Sequence, residues 1–199
     1  MKCNLFGIKT EIGFLFTASI AFLLVFNVND VIRLSVLFSL IHELGHLIAI
    51  ILCKEKPEQI SFGPFGMTIV RENDITQDYQ KEFLTAIAGP VTNFLTALVF
   101  FLINTKYQNE LLLKIIFVNL IIGSFNIMPV FALDGGRALE SLLKLYFEEE
   151  TSERILKTVS FVTLVIMMGF GFYILLSTTY NFTFLAISIY LTVMLFVKC

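Results

Sequence analysis

The feature that most constrains this chain is a series of long apolar runs with almost no charge. A helix rises about 1.5 Å per residue, so about 20 apolar residues cross the roughly 30 Å hydrocarbon core of a bilayer. Six segments approach or exceed this length, and they are Ile12–Val28, Val31–Cys53, Phe83–Ile103, Leu111–Leu133, Ile155–Leu176 and Phe182–Val197. The sequence therefore predicts an all-α polytopic membrane protein with six transmembrane helices.

The composition favours the same class of protein and disfavours others. Charged residues occupy 15% of the 199 positions, against about a quarter in soluble domains, and apolar types occupy 57%. A soluble globule and a disordered chain are both disfavoured. The net charge of -2 offers no basic surface for nucleic acid. The three cysteines are odd in number and far apart, so they define no disulfide framework.

Two of the six segments have alternative interpretations. The first could be a secretory signal peptide, but its apolar run is long and the residues after it do not resemble a signal cleavage site. A retained helix is favoured. The fifth and sixth segments share a charge-free run from Thr158 to Val197, which is too long for one crossing. The polar residues 177–181 divide this run into two predicted spans.

The distribution of Lys and Arg predicts the orientation in the membrane. With the N-terminus inside, the cytoplasmic loops and termini hold ten of these residues, whereas the outer loops hold only Arg33 and Lys106. Both termini are therefore expected in the cytoplasm. The chain is expected to form a single membrane-embedded domain over residues 1–199, with no separate soluble domain.

The longest predicted loop follows the second span and contains one candidate for β-structure. Residues 59–71 form two short β-prone runs around Gly63-Pro64-Phe65-Gly66. A turn sequence between two such runs is typical of a hairpin. The sequence therefore predicts a short β-hairpin at about residues 59–71, between the second and third spans.

The second span carries the strongest chemical signal, His42-Glu43-Leu44-Gly45-His46. Two imidazoles four residues apart lie one above the other on a helix face, which lets one metal ion take both as ligands. Zinc is the expected ion, because imidazole and carboxylate ligands with one open position suit it. The adjacent Glu43 is the predicted general base, which takes a proton from the attacking water.

A purely structural role for these residues is less favoured. The chain has only two histidines, and two placed at random fall four apart in roughly one case in a hundred. Burying two imidazoles and a carboxylate inside a span is also costly unless something binds them. An intramembrane metal site is therefore the preferred interpretation.

A catalytic zinc usually has three protein ligands, and no third histidine exists. Asp134 is the candidate carboxylate, in a segment where Pro129 and the pair Gly135-Gly136 favour a break in the fourth helix. The alternative is an ordinary turn in which Asp134 caps the helix that follows. The ligand interpretation requires that the segment folds back toward the depth of His42 and His46.

The third span begins with Ala88-Gly89-Pro90-Val91-Thr92-Asn93. Its small residues permit a close helix contact or a kink, and Asn93 could hydrogen-bond substrate or water. This second signal is weak, since helix packing explains the same residues equally well.

The three motifs, in this order and in three successive apolar segments, resemble the site-2 protease family of intramembrane zinc metalloproteases. They are His42-Glu43-Leu44-Gly45-His46, Ala88-Gly89-Pro90-Val91-Thr92-Asn93 and Leu133-Asp134-Gly135-Gly136-Arg137. The similarity extends over the whole chain and is greatest to a compact bacterial branch that includes a sporulation protease.

The resemblance implies hydrolysis of a peptide bond inside the membrane. It assigns one zinc ion to His42, His46 and Asp134, and the role of base to Glu43. It implies a single-span or membrane-associated protein as substrate, such as a sigma-factor precursor or an anti-sigma factor. It also places Asn126, eight residues before the Asp, near the active site as a substrate or oxyanion contact, a role that Asn93 could share.

The chain departs from the family pattern at two points. A proline common two residues before the Asp is Ala132 here, which leaves the break to Pro129. The nucleotide-sensing domain of the sporulation branch does not follow the sixth span, which leaves a sporulation role open. A membrane regulator or a second copy of the chain also stays open as a partner.

Two other functions remain as alternatives to the protease. A metal transporter or sensor could use the same His, Glu and Asp cluster, although transport needs a polar path through several helices and the polar residues concentrate at one point. An inactive scaffold is disfavoured, because the His-Glu-x-x-His motif is complete.

Overall fold

The computed structural model describes residues 2–5, 8–12, 29–54, 57–63, 66–71, 78–178 and 182–198. These residues form four strands and six helices. The strands are β1 (Lys2–Leu5), β2 (Ile8–Ile12), β3 (Pro57–Gly63) and β4 (Gly66–Arg71). The helices are α1 (Asp30–Leu52), α2 (Tyr79–Tyr107), α3 (Glu110–Asn126), α4 (Asp134–Lys144), α5 (Glu149–Thr178) and α6 (Thr183–Lys198).

The four strands form one sheet in the order β1-β2-β3-β4. β1 pairs antiparallel with β2, β2 pairs parallel with β3, and β3 pairs antiparallel with β4. The parallel pair joins Thr10 to Ile60 and Ile12 to Phe62, so the N-terminus of the chain lies against the segment that follows α1. The sheet therefore combines two parts of the sequence that α1 separates.

The predicted fold class, an all-α protein with one short hairpin, is wrong. An isolated hairpin at residues 59–71 is not found, because the strands there are two of the four in a mixed sheet. The N-terminal strands were missed, although residues 8–12 read Ile-Lys-Thr-Glu-Ile, an alternation typical of a strand. The parallel partner of this strand lies about 50 positions away in the sequence, so no local pattern indicates the pairing.

The count of six spans is also wrong for the part of the chain that the structure describes. Three helices there, α1, α2 and α5, are long and apolar enough to cross a membrane, and α6 is a shorter apolar helix. The predicted first span, residues 12–28, lies outside the described residues apart from Ile12, which ends β2. The predicted fourth span, residues 111–133, is not one helix, since α3 ends at Asn126.

Polar side chains cap the first turns of three helices. The side chains of Asn29, Asp78 and Asn109 accept hydrogen bonds from backbone N–H groups at the starts of α1, α2 and α3. These bonds satisfy donors that have no partner within the helix. The bond from the backbone N–H of Lys81 to Asp78 lowers the pKa of that carboxyl below its ordinary value.

Helix α2 is the centre of the bundle, since it contacts α1, α3 and α4. Two apolar clusters support it. In one, Phe38 of α1 packs with Ile115 and Val118 of α3. The other joins the residues between α3 and α4 to α5 and α6, through Val130, Leu133, Leu164, Met167, Leu191 and Leu195. The second cluster fixes the irregular segment 127–133 inside the bundle.

Candidate metal centre

Helix α1 presents His42 and His46 on one buried face. Their spacing of four residues places them one turn apart, and their ring centroids lie 4.9 Å apart. The Nε2 atoms of the two rings are separated by 3.2 Å. A regular helix therefore brings two nitrogen ligands together without help from any loop.

Glycines let α2 approach this face of α1 closely. A Cβ atom on Gly45 would overlap Oγ1 of Thr92, and a Cβ atom on Gly89 would overlap Nε2 of His46. The same added atom on Gly89 would lie 2.6 Å from Nε2 of His42. The missing side chain of Gly89 therefore leaves open the space in front of both imidazoles.

The third group comes from the break after α3. The backbone N–H groups of Ile127, Met128, Val130 and Leu133 bond to carbonyls two to four residues earlier, so the chain turns tightly and α4 begins at Asp134. A Cβ atom on Gly136 would overlap the carbonyl of Val130, so the turn lies directly against the first turn of α4. This return brings the carboxylate of Asp134 beside the two rings.

Asp134 Oδ2 lies 2.9 Å from Nε2 of His42 and 3.2 Å from Nε2 of His46. No side-chain bond caps α4 at Leu133, so the alternative role of Asp134, as an ordinary helix cap, does not describe this arrangement. Segment 127–133 therefore places Asp134 beside His42 and His46, which precede it in the sequence by 88 positions or more.

The other nitrogen of each ring is held by an acceptor. Nδ1 of His46 donates to the backbone carbonyl of Thr85 at 2.7 Å. Nδ1 of His42 donates to Oδ1 of Asn93, whose amide nitrogen donates to Oδ1 of Asn119 at 2.9 Å and to the carbonyl of Phe38 at 3.4 Å. Each neutral ring with its proton on Nδ1 has a lone pair on Nε2.

When both rings are neutral, these tautomers leave three acceptor atoms facing one another, the two Nε2 atoms and Oδ2 of Asp134. Two neutral imidazole nitrogens and one carboxylate oxygen at 2.9–3.2 Å lack the charge balance that a buried site needs. A tetrahedral zinc with bonds of about 2.0–2.2 Å holds its ligand atoms about 3.3–3.5 Å apart. The three residues therefore fit a metal ion by donor type, by spacing and by the space that Gly89 leaves.

Glu43 lies on the same helix next to His42 and is half-buried. It is close enough to His46 for the charges of the two side chains to interact. The predicted base therefore lies beside the cluster and is not one of the three side chains that converge.

The structure places the two predicted asparagines differently. Asn93 is fully buried, and its oxygen and its nitrogen already bond to protein groups. The role of Asn93 as a substrate contact stays a prediction: both donors of the amide bond within the protein, whereas its oxygen accepts one bond and has a second lone pair. Asn126 is half-buried at the end of α3, and its nitrogen donates to the carbonyl of Ile122 at 3.1 Å.

Sequence reasoning missed two residues that support the cluster. Thr85 acts through its backbone carbonyl, which leaves no signal in the sequence. Asn119 is a fully buried amide in the middle of an apolar run, and a polar residue at such a position is a recognisable signal of function.

Two family models match the chain. A model of peptidase family M50 matches residues 105–170, and a model of M50B-like peptidases matches residues 15–134, which is more than half of the chain. A zinc metalloprotease of Methanocaldococcus jannaschii is 27% identical over 180 residues, covering 84% of this chain and 52% of that protein. Stage IV sporulation protein FB of Bacillus subtilis is 29% identical over 163 residues, covering 77% of this chain and 55% of that protein.

The chain thus spans about half the length of these two relatives. The solved structure of a site-2 protease from Methanocaldococcus jannaschii matches with a TM-score of 0.63 and 25% identity, covering 96% of this chain and 91% of that chain. Family models, relatives and structure agree with the motifs on α1, α2 and α4, and this chain belongs to peptidase family M50, the site-2 protease family.

Proposed function

We propose that this chain is a zinc-dependent intramembrane protease that hydrolyses a peptide bond in or next to the transmembrane segment of a membrane-anchored protein. One observation carries the proposal. Nε2 of His42, Nε2 of His46 and Oδ2 of Asp134 converge within 3.2 Å of one another, and Glu43 is next to His42 on the same helix. One zinc ion per chain satisfies these atoms.

When bound, zinc supplies Lewis acidity that polarises the scissile carbonyl and makes water a nucleophile near neutral pH. The chain supplies the proton transfers. Glu43 takes a proton from the attacking water and then gives it to the leaving amine, so that the C–N bond breaks and a carboxylate and an amine are released. Asn126, half-buried at the end of α3, is the amide that we propose contacts the substrate or the developing oxyanion.

The break between α3 and α4 supports a site inside the membrane. Non-helical backbone is tolerated at membrane depth where it is buried in protein or lines a wet cavity. Here Val130 and Leu133 are buried against α5 and α6, so part of the segment is enclosed by protein. The apolar helices support a multi-pass location, and the Lys and Arg near both ends of the chain and in segment 54–81 support our proposal that both termini face the cytoplasm.

The proposed substrate class is a single-span or membrane-associated protein, with a sigma-factor precursor or an anti-sigma factor as the first candidate. The likeness to a protein named for stage IV of sporulation supports a regulatory substrate of this kind. In the part of the chain that the structure describes, apolar helices long enough to cross a membrane surround the site. We therefore propose that substrate cleavage takes place within the bilayer.

The decisive experiment compares the purified chain with Glu43→Gln in proteoliposomes that contain a single-span substrate. We expect bound zinc at one ion per chain in both proteins, and cleavage lower by about 10²–10⁴-fold in the variant, because only the proton transfer is lost. Zinc is measured by elemental analysis and cleavage by the appearance of the product fragment.

Three results would contradict the proposal. Full activity of Glu43→Gln would remove Glu43 as the base. Absence of zinc from the wild type under conditions that retain the fold would remove the metal mechanism. Metal flux into the same proteoliposomes without cleavage of any substrate offered would favour a transporter.

A further inference from the structure

The two imidazoles of the metal centre are held in unequal ways. His46 donates directly to the backbone carbonyl of Thr85, which can only accept. His42 donates to the side chain of Asn93, and a side-chain amide has an acceptor at one end and a donor at the other. If that amide were reversed, its NH₂ group would face Nδ1 of His42. The ring proton would then move to Nε2 and point into the cluster.

The orientation of Asn93 is set by a residue that touches neither the ring nor the cluster. The side-chain nitrogen of Asn119 donates to the backbone carbonyl of Ile115 at 2.9 Å, and a carbonyl can only accept. The oxygen of Asn119 must therefore face Asn93 and accept from its nitrogen at 2.9 Å. The oxygen of Asn93 is left to face His42. Both amides are fully buried, so water cannot replace either partner.

We propose that Asn119 on α3 is a positioning residue for the metal centre. It fixes the amide of Asn93, and through that amide it keeps the proton of His42 on Nδ1 and the lone pair of Nε2 directed at the ion. This chain of hydrogen bonds, here called the relay, runs from the carbonyl of Ile115 through Asn119 and Asn93 to His42. Its residues lie on three helices, α3, α2 and α1. The effect on zinc rests on the proposed function, whereas the effect on the ring proton can be measured without metal.

Removal of Asn119 has a specific consequence. The carbonyl of Phe38, at 3.4 Å, is then the one remaining partner for the nitrogen of Asn93 in this relay. The amide can reverse, and each reversed molecule presents an N–H instead of a lone pair at Nε2 of His42. Loss of a group that orients a metal-binding histidine typically lowers metal affinity 10–100-fold. We expect about tenfold for Asn119→Leu, because Asn93 itself is retained.

A double-mutant cycle tests the relay through the zinc dissociation constant, measured by chelator competition. In an Asn93→Asp background, both carboxylate oxygens are acceptors, so either orientation keeps the proton of His42 on Nδ1. We expect Asn119→Leu to weaken zinc binding about tenfold in the wild-type background and less than about twofold with Asn93→Asp. Thr96→Val is the control, because it removes one hydroxyl bond on the same helix away from the relay. Its zinc affinity should not change.

An equal loss in both backgrounds, or no loss in either, would overturn the inference and leave the proposed function standing. Failure of the wild type to bind zinc would instead overturn the proposed function. If Asn119→Leu does not fold, Asn119→Ala deletes the same hydrogen bonds and serves in the same cycle.

The ring proton itself is visible by ¹⁵N NMR of histidine-labelled, metal-free protein at mildly alkaline pH. The chain has two histidines, so only two imidazoles contribute signals, and His46 is an internal reference. In the wild type we expect a proton on Nδ1 of each ring, because each Nδ1 faces an oxygen acceptor. In Asn119→Leu, His42 should shift toward the Nε2–H form while His46 stays unchanged. A His42 that keeps its proton on Nδ1 in this variant would contradict the inference, whatever the zinc affinity.

Discussion

The two halves of the proposed metal centre are built by different means. The half on α1 and α2 is helical throughout, with two imidazoles one turn apart and a glycine opposite them. The half between α3 and α4 is a tight irregular turn that delivers Asp134 from the first residue of a new helix. A helix fixes its ligands by its own repeat, whereas a turn depends on the packing around it.

The second half accordingly needs more support from the rest of the bundle. Val130 is fully buried and packs with α5 and α6. Ser160 of α5 accepts from the backbone N–H of Phe131 at 3.0 Å and donates to the carbonyl of Pro129 at 3.4 Å. The position of Asp134 therefore depends on helices that contribute nothing else to the cluster. A substitution in the helical half should therefore lower zinc affinity more than stability. A substitution in the irregular half should lower the free energy of unfolding more and zinc affinity less.

The largest effect on zinc affinity is expected from Gly89→Ala, which tests the helical half. The added Cβ would occupy the space in front of both Nε2 atoms, so zinc affinity should fall about 100-fold or more. The metal-free fold should change little, because the side chains of His42 and His46 are what must move. Chelator competition measures the affinity, and unfolding in a detergent titration measures the stability.

Gly169→Ala is the matched control, because an added Cβ there meets nothing within 4 Å. This control should bind zinc normally and unfold no earlier than the wild type, since alanine is the better helix former. Normal zinc binding by Gly89→Ala would show that the ion does not occupy this space.

A smaller effect on zinc, with a larger effect on stability, is expected from Gly136→Ala in the irregular half. Its Cβ would overlap the backbone carbonyl of buried Val130, so backbone rather than side chain must move. We expect a loss of about 1–3 kcal/mol in the free energy of unfolding without metal. Zinc affinity should fall about tenfold as Asp134 shifts. Unchanged stability of the metal-free protein would mean that the turn is not packed against α4 as described.

The smallest effect on zinc affinity is expected from Ser160→Ala on α5. Loss of the hydroxyl leaves the part-buried N–H of Phe131 without its partner, which costs about 1 kcal/mol. Zinc affinity should fall only a few-fold, since the apolar packing of the turn remains.

Ser188→Ala is the control for this variant. Ser188 is equally buried, but its hydroxyl donates to the carbonyl of Phe184 in its own helix. Ser188→Ala should have almost no effect on the free energy of unfolding or on zinc affinity. Equal destabilisation by the two variants would show that the bonds from Ser160 to the turn are not what stabilises it.

The same contrast explains how much could be predicted from the sequence. The helical spacing of His42 and His46 is visible in the sequence, because a helix repeats locally. The need for a third ligand and the predicted break at Pro129 indicated Asp134, and the resemblance to a known family agreed. The lone hairpin was wrong, because strand pairing with residues 8–12 is non-local. The span count was wrong, because apolar length does not reveal where a helix breaks. Asn119 was missed because its role depends on neighbours from other helices.

The sequence by itself determined the class of environment and the chemical types at the centre: apolar helices, two imidazoles one turn apart, and a carboxylate after a proline and before two glycines. The tertiary structure alone decided that the carboxylate reaches the imidazoles and which nitrogen of each ring is free to bind an ion. Local repeats are encoded in neighbouring residues. The direction of a lone pair is set by hydrogen-bond partners that lie far away in the sequence.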